Sequence, residues 1–478
     1  MDSATEHPDP AFPRFHSRPP QGWVGNPCGL SHLHGSYHVY FQYSPETEPR
    51  QRICWGHLSS PDLVSWHQEP LALRPQSGGP DAFGCGTGVV TDDDGVAVAA
   101  YTGIPDDAGQ SRVVLARSSS DPAVWAQEGR VAADVTTDPE VAVAGDPYIF
   151  QFQGRRFALQ GAGLAGGHAA ALLYSLEDLR SWRYEGIWLT SAGGPAAEHL
   201  AAAAWECPQL VPLPDSSGAE NWLLMASLRN ADDAARRRAG VGYLLGSLSA
   251  DARTGLPVFL PATGGKADLG PDFYAPQILS LPDRALLWGR SPEVVEGAVT
   301  RPTDPAGGDR PGRSERGIDD AGWSGVLTLP RRLSVHGGAL AVEPAVELAA
   351  YRGRKLLSNA AGTVQLPRQA EAHVAGGEGG LRLDLATASS RRTVFAETVA
   401  GGDELRIFVD SSIVEVFRHG TVAATVRAYP GAGENWQLVL PHGAAAIVWE
   451  LRDPAGESAG EPAGEPAGGP SAGRAARR

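Results

Sequence analysis

Apolar and polar residues alternate in short runs along most of this 478-residue chain, and no stretch holds the spacing of a long amphipathic helix. Five strand-like groups stand out: residues 37–43, 96–102, 148–152 with 157–160, 222–228 and 284–288. Gly, Asp and Ser gather between them, as tight turns require. A second unit recurs along the same stretch. Asp62 is followed by Trp66, Asp121 by Trp125 and Asp178 by Trp182, at the period of propeller blades. Five strand groups with polar turns predict an all-β chain that begins as a five-bladed β-propeller over residues 15–335. Trp66, Trp125 and Trp182 are assigned to the blade cores, because a position repeated from blade to blade serves packing.

From about 341 to 452 the pattern becomes a cleaner two-residue alternation, clearest over 405–410 and 413–417. Ser411-Ser412 between those runs reads as a hairpin, and several such runs in a row predict a β-sandwich. The Ala-rich stretch 196–206 is read as a loop entering a strand, despite its helical propensity. Residues 297–321 are dense in Pro, Gly and charge and read as a surface excursion. Residues 1–14 and 453–478 carry too little apolar surface to offset ordering, so both are expected to be disordered.

Composition narrows the partners. A formal charge of -15 argues against nucleic acid and anionic membranes, either of which needs a positive face. No apolar run is long enough to span a bilayer, and the first residues lack the basic and apolar regions of a secretory signal. Cys28, Cys54, Cys85 and Cys207 stand singly and far apart, a pattern of free thiols in a reducing compartment, not of a disulfide framework or zinc site. The expectation is a cytoplasmic protein with a small, neutral or weakly polar ligand, no cofactor and no metal. The oligomeric state is left open.

Several segments carry chemistry when taken in order. They are Trp23-Val24-Gly25-Asn26-Pro27-Cys28-Gly29, Phe41-Gln42-Tyr43-Ser44-Pro45, Trp55-Gly56-His57, Asp146-Pro147-Tyr148, Trp205-Glu206-Cys207-Pro208 and Gly270-Pro271-Asp272-Phe273-Tyr274-Ala275, followed by 408–417. Over roughly residues 15–450 this series resembles glycoside hydrolase family 32, the invertase, fructanase and levanase family. The resemblance implies a propeller followed by a sandwich, and a fructoside or related carbohydrate as ligand. It assigns acid/base work to Glu206 and the holding of ring hydroxyls to Asp146. Trp205 and Cys207 beside Glu206 would favour its protonated, proton-donating form. Gln42, Trp55, Cys28, Thr87, Gly145, Trp205, Cys207 and Tyr274 fall at positions that would line the same pocket, with Trp55 and Trp205 offering ring faces to a sugar.

One position breaks the pattern. Where the family carries an aspartate nucleophile this chain has Asn26, and no Asp or Glu lies between Phe12 and Ser44 to replace it. Retaining glycosidases need two carboxyl groups about 5 to 5.5 Å apart, and an amide oxygen neither attacks well nor stabilises positive charge. Cys28, without a histidine or cation beside it in sequence, is mostly a protonated thiol. Further departures are Gly145 where an arginine is expected, Cys28 for an asparagine, Gly86 for an aromatic, and no aromatic near Arg50. Two functions fit: a β-fructofuranosidase-type hydrolase in which Asn26 positions a water and the product inverts, or a carbohydrate-binding or regulatory protein that has lost catalysis. Taken without the resemblance, Asp146 and Glu206 read as buried structural carboxylates. His32, His34 and His38 read as exposed hairpin residues, Asp92-Asp93-Asp94-Gly95 as a hairpin turn, and Arg236-Arg237-Arg238 as a solvated loop cluster.

Overall fold

Each strand group of the N-terminal part grows into its own antiparallel sheet, and the sheets follow one another in chain order. The computed structural model describes residues 7–45, 52–106, 111–215, 218–230, 238–296 and 311–454. The inner strands of the five sheets are Gly22–Leu33, Gly84–Asp93, Val141–Phe152, Ala204–Pro212 and Tyr274–Ser280. Each inner strand packs against the next, and the fifth returns against the first, so the sheets close into a ring. That ring is the β-propeller. Trp323–Ser324 lies parallel beside Gly22–Leu33 and stitches the end of the propeller to its start.

The Asp-to-Trp repeat proves to be a turn between the third and fourth strands of a sheet. Asp62 Oδ1 accepts from the backbone N–H groups of Val64 and Ser65 at 3.0 and 2.7 Å, and the Trp66 indole donates to the Leu63 carbonyl at 3.0 Å. Asp178 with Trp182, and Asp121 with Trp125, repeat the arrangement. Asp251 builds the same turn in the fourth sheet, accepting from Arg253 and Thr254, without a tryptophan. Trp182 is buried, but Trp66 and Trp125 are only half-buried, so the repeat marks a capped turn more than a core.

The sandwich packs a six-stranded sheet on a four-stranded one around its own apolar core. Asp410 pairs with Ile413 across Ser411-Ser412, the predicted hairpin, with Ser411 at φ 56°. Its boundary is later than expected. Ala339–Pro344 is the outer strand of the fifth propeller sheet, and the sandwich strands begin at Arg352.

Three further expectations are corrected. Gly194–His199 is a short helix with proline in its first turn, so propensity held there, and the chain enters a strand only at Ala204. Residues 7–14 are not free: Asp9 Oδ2 pairs with Arg313 at 3.0 Å and accepts from the Trp323 indole at 2.8 Å. The polar stretch thus gains order from the propeller closure it touches; residues 1–6 and 455–478 lie outside the described residues. His38 is buried, its Nδ1 3.0 Å from His57 Nε2, while His32 and His34 are exposed as predicted. Residues 297–310 lie outside the described residues, and Glu315–Ala321 is a helix capped by Ser314. Asp94 and Gly95 take left-handed φ of 54° and 84° and turn the expected hairpin.

Propeller and sandwich are joined by buried charge. His16 bridges Asp410 and Glu415 at 2.9 and 3.0 Å, and Arg331 spans Glu415 and Asp268 at 2.7 and 2.8 Å. The guanidinium also reaches Thr425 Oγ1, and every acceptor of the cluster is hydrogen-bonded, which burial of such charges demands.

Candidate active site

All five inner strands carry an irregularity at the same level. The pairing register slips between Val24 and Pro27, between Cys85 and Gly88, opposite Asp146-Pro147, between Glu206 and Gln209, and between Tyr274 and Gln277. Proline lacks a ladder N–H, and it lies at the slip in four strands, as Asn26-Pro27, Asp146-Pro147, Cys207-Pro208 and Ala275-Pro276. Asp146, Cys207 and Ala275 sit at φ of 55°, 51° and 53°, strained for non-glycine residues. Each bulge re-aims side chains out of the pleat and into the centre of the ring. The bend expected at Asn26-Pro27 is therefore a bulge inside a strand, and the proline repeat was the sequence signal that locates the others.

The re-aimed side chains meet. Asn26 Nδ2 donates to Thr87 Oγ1 at 3.1 Å and lies 3.8 Å from Cys207 Sγ. Gln42 Nε2 reaches the same Thr87 hydroxyl at 3.3 Å, and its Oε1 accepts from the Asn26 backbone N–H at 3.4 Å. Asp146 Oδ2 accepts from the Cys207 N–H at 2.9 Å and faces the Cys207 thiol at 3.5 Å, while the Asp146 N–H donates to Thr102 Oγ1 at 2.8 Å. Glu206 Oε2 accepts from the Tyr274 hydroxyl at 2.8 Å, and Oε1 lies 3.4 Å from Arg229 Nε. Residues from all five sheets thus converge, with Asn26, Gln42, Gly145, Asp146 and Glu206 partly open to solvent and Thr87, Cys207 and Tyr274 buried behind them.

The two carboxylates have different surroundings. Burial first, and then the charge of Glu206, push the Asp146 carboxyl up to about 6, against hydrogen bonds from Cys207 and Thr87 that pull it down. Glu206 instead touches a phenol and a guanidinium, because Trp205 and Cys207 point to other sides of the strand. The burial that was expected to act on Glu206 acts on Asp146. Burial holds the Cys28 thiol far above its ordinary range, so it supplies no thiolate, and its Sγ bonds the Asn26 carbonyl at 3.3 Å.

Two expected sugar platforms are core. Trp55 is 0% exposed with its indole bonded to the Gly86 carbonyl at 2.8 Å, and Trp205 is 2% exposed with its indole on the Leu200 carbonyl. Neither ring face is available to a ligand. Gly86 has a backbone reason to be glycine, since a Cβ there would fall 2.9 Å from Thr102 Cβ. Gly145 has none: the nearest atom to a Cβ would be Thr102 Oγ1 at 3.6 Å. Arg50 lies outside the described residues.

Sequence reasoning named Trp23 within its motif but gave it no role, missed Arg229 and Arg290, and placed Arg238 in a solvated loop. The Trp23 ring folds over Gly25, where a Cβ would sit 2.2 Å from it, and it stacks under the Arg290 guanidinium at 4.9 Å. Arg238 belongs to a strand and lies 5.3 Å above the Tyr274 ring. These residues occupy ordinary strand positions, and only the pairing of sheets brings them to the site.

Comparison with known proteins agrees with this architecture. The profile described as Glycosyl hydrolases family 32 N-terminal domain matches residues 16–344, and Glycosyl hydrolases family 32 C terminal matches 377–448. The raffinose invertase of Escherichia coli is 29% identical, over 91% of this chain and 93% of its own length. The sucrose-6-phosphate hydrolase of Bacillus subtilis is 28% identical, over 93% and 95%. Among solved structures, a mutant GH32 beta-fructofuranosidase of Bombyx mori in complex with sucrose shares the fold with a TM-score of 0.74 at 22% identity, covering 93% of this chain and 95% of that one.

Proposed function

The chain belongs to glycoside hydrolase family 32, and from that premise we propose that it hydrolyses a β-fructofuranoside of the sucrose or raffinose kind. One observation carries the reading: the backbone N–H that holds Asp146 belongs to Cys207, the residue after Glu206, so both carboxylates are fixed by one bulge. A furanose ring between them has its hydroxyls held by Asp146 and its glycosidic oxygen beside Glu206. Glu206 gives its proton to that oxygen as the bond to the anomeric carbon breaks. Asn26, with its amide N–H groups turned to Thr87 and Cys207, presents its carbonyl oxygen to a water on the other ring face. That water adds to the anomeric carbon and releases a proton to the remaining carboxylate, Asp146, leaving inverted fructose.

Asn26 brings no charge to the oxocarbenium-like transition state, an omission that costs several kcal/mol where such stabilisation operates. The same observation favours a second reading, a carbohydrate-binding protein in which turnover is negligible. Purified protein is incubated with sucrose and with raffinose, and the fructose released is followed by proton NMR at early times. The proposal expects release with inverted anomeric configuration, abolished in Glu206→Gln. Sucrose binding without release supports the second reading, and release with retention removes the water mechanism.

A further inference from the structure

The sandwich meets the propeller at a corner where two sheets end. Arg391–Val399 is the last strand of the four-stranded sheet and Ala424–Arg427 the last of the six-stranded one. A propeller segment borders the second edge: the Leu269 N–H donates to the Ala423 carbonyl at 2.8 Å and the Asp272 N–H to the Thr425 carbonyl at 3.2 Å, while Asp268 Oδ1 accepts from the Thr425 N–H at 2.9 Å. A cavity of about 140 Å³ remains at this junction. Its walls are Phe395, Val416, Ala424 and Val426 of the sandwich core, with Leu269 and Pro271 of the propeller. Packed interiors hold few voids larger than a water, so a space of this size among core side chains is out of the ordinary. Ala424 faces Val416 across the ladder, and its single methyl leaves the room. At the rim Leu269 is 50% exposed, one of the few large apolar side chains left in water among the described residues.

The polar groups of the lining decide what can enter. Glu397 Oε1 accepts from Arg418 Nη1 at 2.9 Å, and Arg418 Nη2 donates to Asp403 Oδ2 at 2.6 Å. One guanidinium thus answers two carboxylates, so an anionic head group finds no spare cation there and meets net negative charge. Glu397 Oε2 receives no hydrogen bond from any described residue and can accept one from a ligand. Residues 455–478 contain no aromatic, leucine, isoleucine or valine side chain, so the chain's own tail brings no plug. An apolar cavity of about 150 Å³ takes a molecule the size of benzene. We propose that this junction is a binding site for a neutral, ring-sized molecule that carries a hydroxyl, of the phenol kind. The ring sits among Phe395, Val416 and Val426, Leu269 covers its outer side, and the hydroxyl donates to Glu397. Neither Asp146 nor Glu206 lines the cavity, and the site does not depend on the fructosidase reading.

The test is a binding measurement. Para-fluorophenol, fluorobenzene and para-fluorobenzoate are each titrated into the full-length protein and followed by fluorine NMR. Para-fluorophenol is expected to saturate a site with a Kd of about 1 mM or tighter, the range that a ligand of this size reaches. Fluorobenzene, without the hydroxyl, is expected to bind about threefold or more weaker, and para-fluorobenzoate about tenfold or more weaker. Excess sucrose is expected to leave the para-fluorophenol Kd unchanged, because the carboxylate pocket is a different one. Ala424→Leu fills the cavity from its own wall and is expected to abolish saturable binding. Should that variant fail to fold, Leu269→Asn, at an exposed position, is expected to weaken binding about fivefold or more. No saturation in wild type, displacement by sucrose, or a Kd unchanged in folded Ala424→Leu or in Leu269→Asn overturns the site. Para-fluorobenzoate or fluorobenzene binding as tightly as para-fluorophenol overturns the ligand class.

Discussion

The Cys207 backbone N–H donates to Asp146 Oδ2 at 2.9 Å, so a carboxylate from the third sheet is clamped by the bulge of the fourth. The clamp keeps Asp146 in place although burial and Glu206 resist its ionisation and push its carboxyl from 3.8 up to about 6. The folded protein binds this proton more tightly than the unfolded chain does. Below about pH 4 both states are protonated and Asp146 costs nothing; as pH rises through 6 the folded state pays for ionising it.

Asp146→Asn is therefore expected to raise stability at pH 8 by up to roughly 2 kcal/mol and to change it little below pH 4. Urea unfolding of both proteins at the two pH values checks it. A destabilised Asn variant at pH 8 would mean that the carboxylate is stabilised in the fold. Fructoside affinity runs the opposite way, because ring hydroxyls are held by the ionised form: it should fall as pH drops below about 6.

Trp55 and Trp205 separate core from site. Both are closed off and bonded through their indoles, so Trp55→Ala is expected to cost about 3 to 5 kcal/mol of stability. Trp55→Phe, which keeps most of the volume, should leave the KM for sucrose within about twofold of wild type. A tenfold KM change in a stably folded Phe variant would place the ring against ligand after all.

The fold was legible because its signals are local. Asp62, Asp121 and Asp178 cap turns through their own following N–H groups, and two-residue alternation needs no knowledge of the partner sheet. Asp146, Glu206 and Asn26 were found through the order of their motifs. The directions in which side chains face were not legible. Whether Trp55 points at the pocket or at the Gly86 carbonyl is decided by how one sheet seats on the next, and Arg290 acquires meaning only through its pairing with Tyr274. The Pro at four of the five bulges was in plain view, yet its repetition becomes a signal only once the inner strands are aligned.

His16 ties the N-terminal segment to the sandwich. Burial opposes its charge, but hydrogen bonds to Asp410 and Glu415 outweigh burial and raise its pKa above 6.5; Arg331 faces it only across Glu415. A group raised in this way contributes fully below pH 6.5 and loses its contribution as pH climbs through the folded value. His16→Gln is expected to cost on the order of 3 kcal/mol at pH 6 and distinctly less at pH 9. Thermal unfolding at both pH values decides; an equal cost at each would show that the histidine is neutral in the fold.

Asn26→Asp tests how far one residue accounts for the altered site. The new carboxylate would accept a hydrogen bond from the Thr87 hydroxyl in place of the present contact, in which Asn26 Nδ2 donates to Thr87 at 3.1 Å. It would also add negative charge beside Asp146, which already resists ionisation because of burial and Glu206, and would push it further toward the protonated form. The nucleophile gained is thus offset by a weakened hydroxyl anchor, and the single variant is expected to show little sucrose hydrolysis. Gly145→Arg supplies what is missing. A side chain fits there, with Thr102 Oγ1 the nearest neighbour to its Cβ at 3.6 Å, and a guanidinium beside Asp146 would restore ionisation. The double variant should exceed Asn26→Asp by about ten- to a hundredfold in kcat/KM, roughly 1.4 to 2.7 kcal/mol of barrier, with the larger gain at the lower pH. Fructose release from sucrose is measured for wild type, both single variants, the double and its Glu206→Gln derivative between pH 5 and 8. Full activity from Asn26→Asp alone would show that Gly145 is immaterial and that the charge argument at Asp146 fails. A double variant no better than the single would leave the arginine without a role in holding the ring.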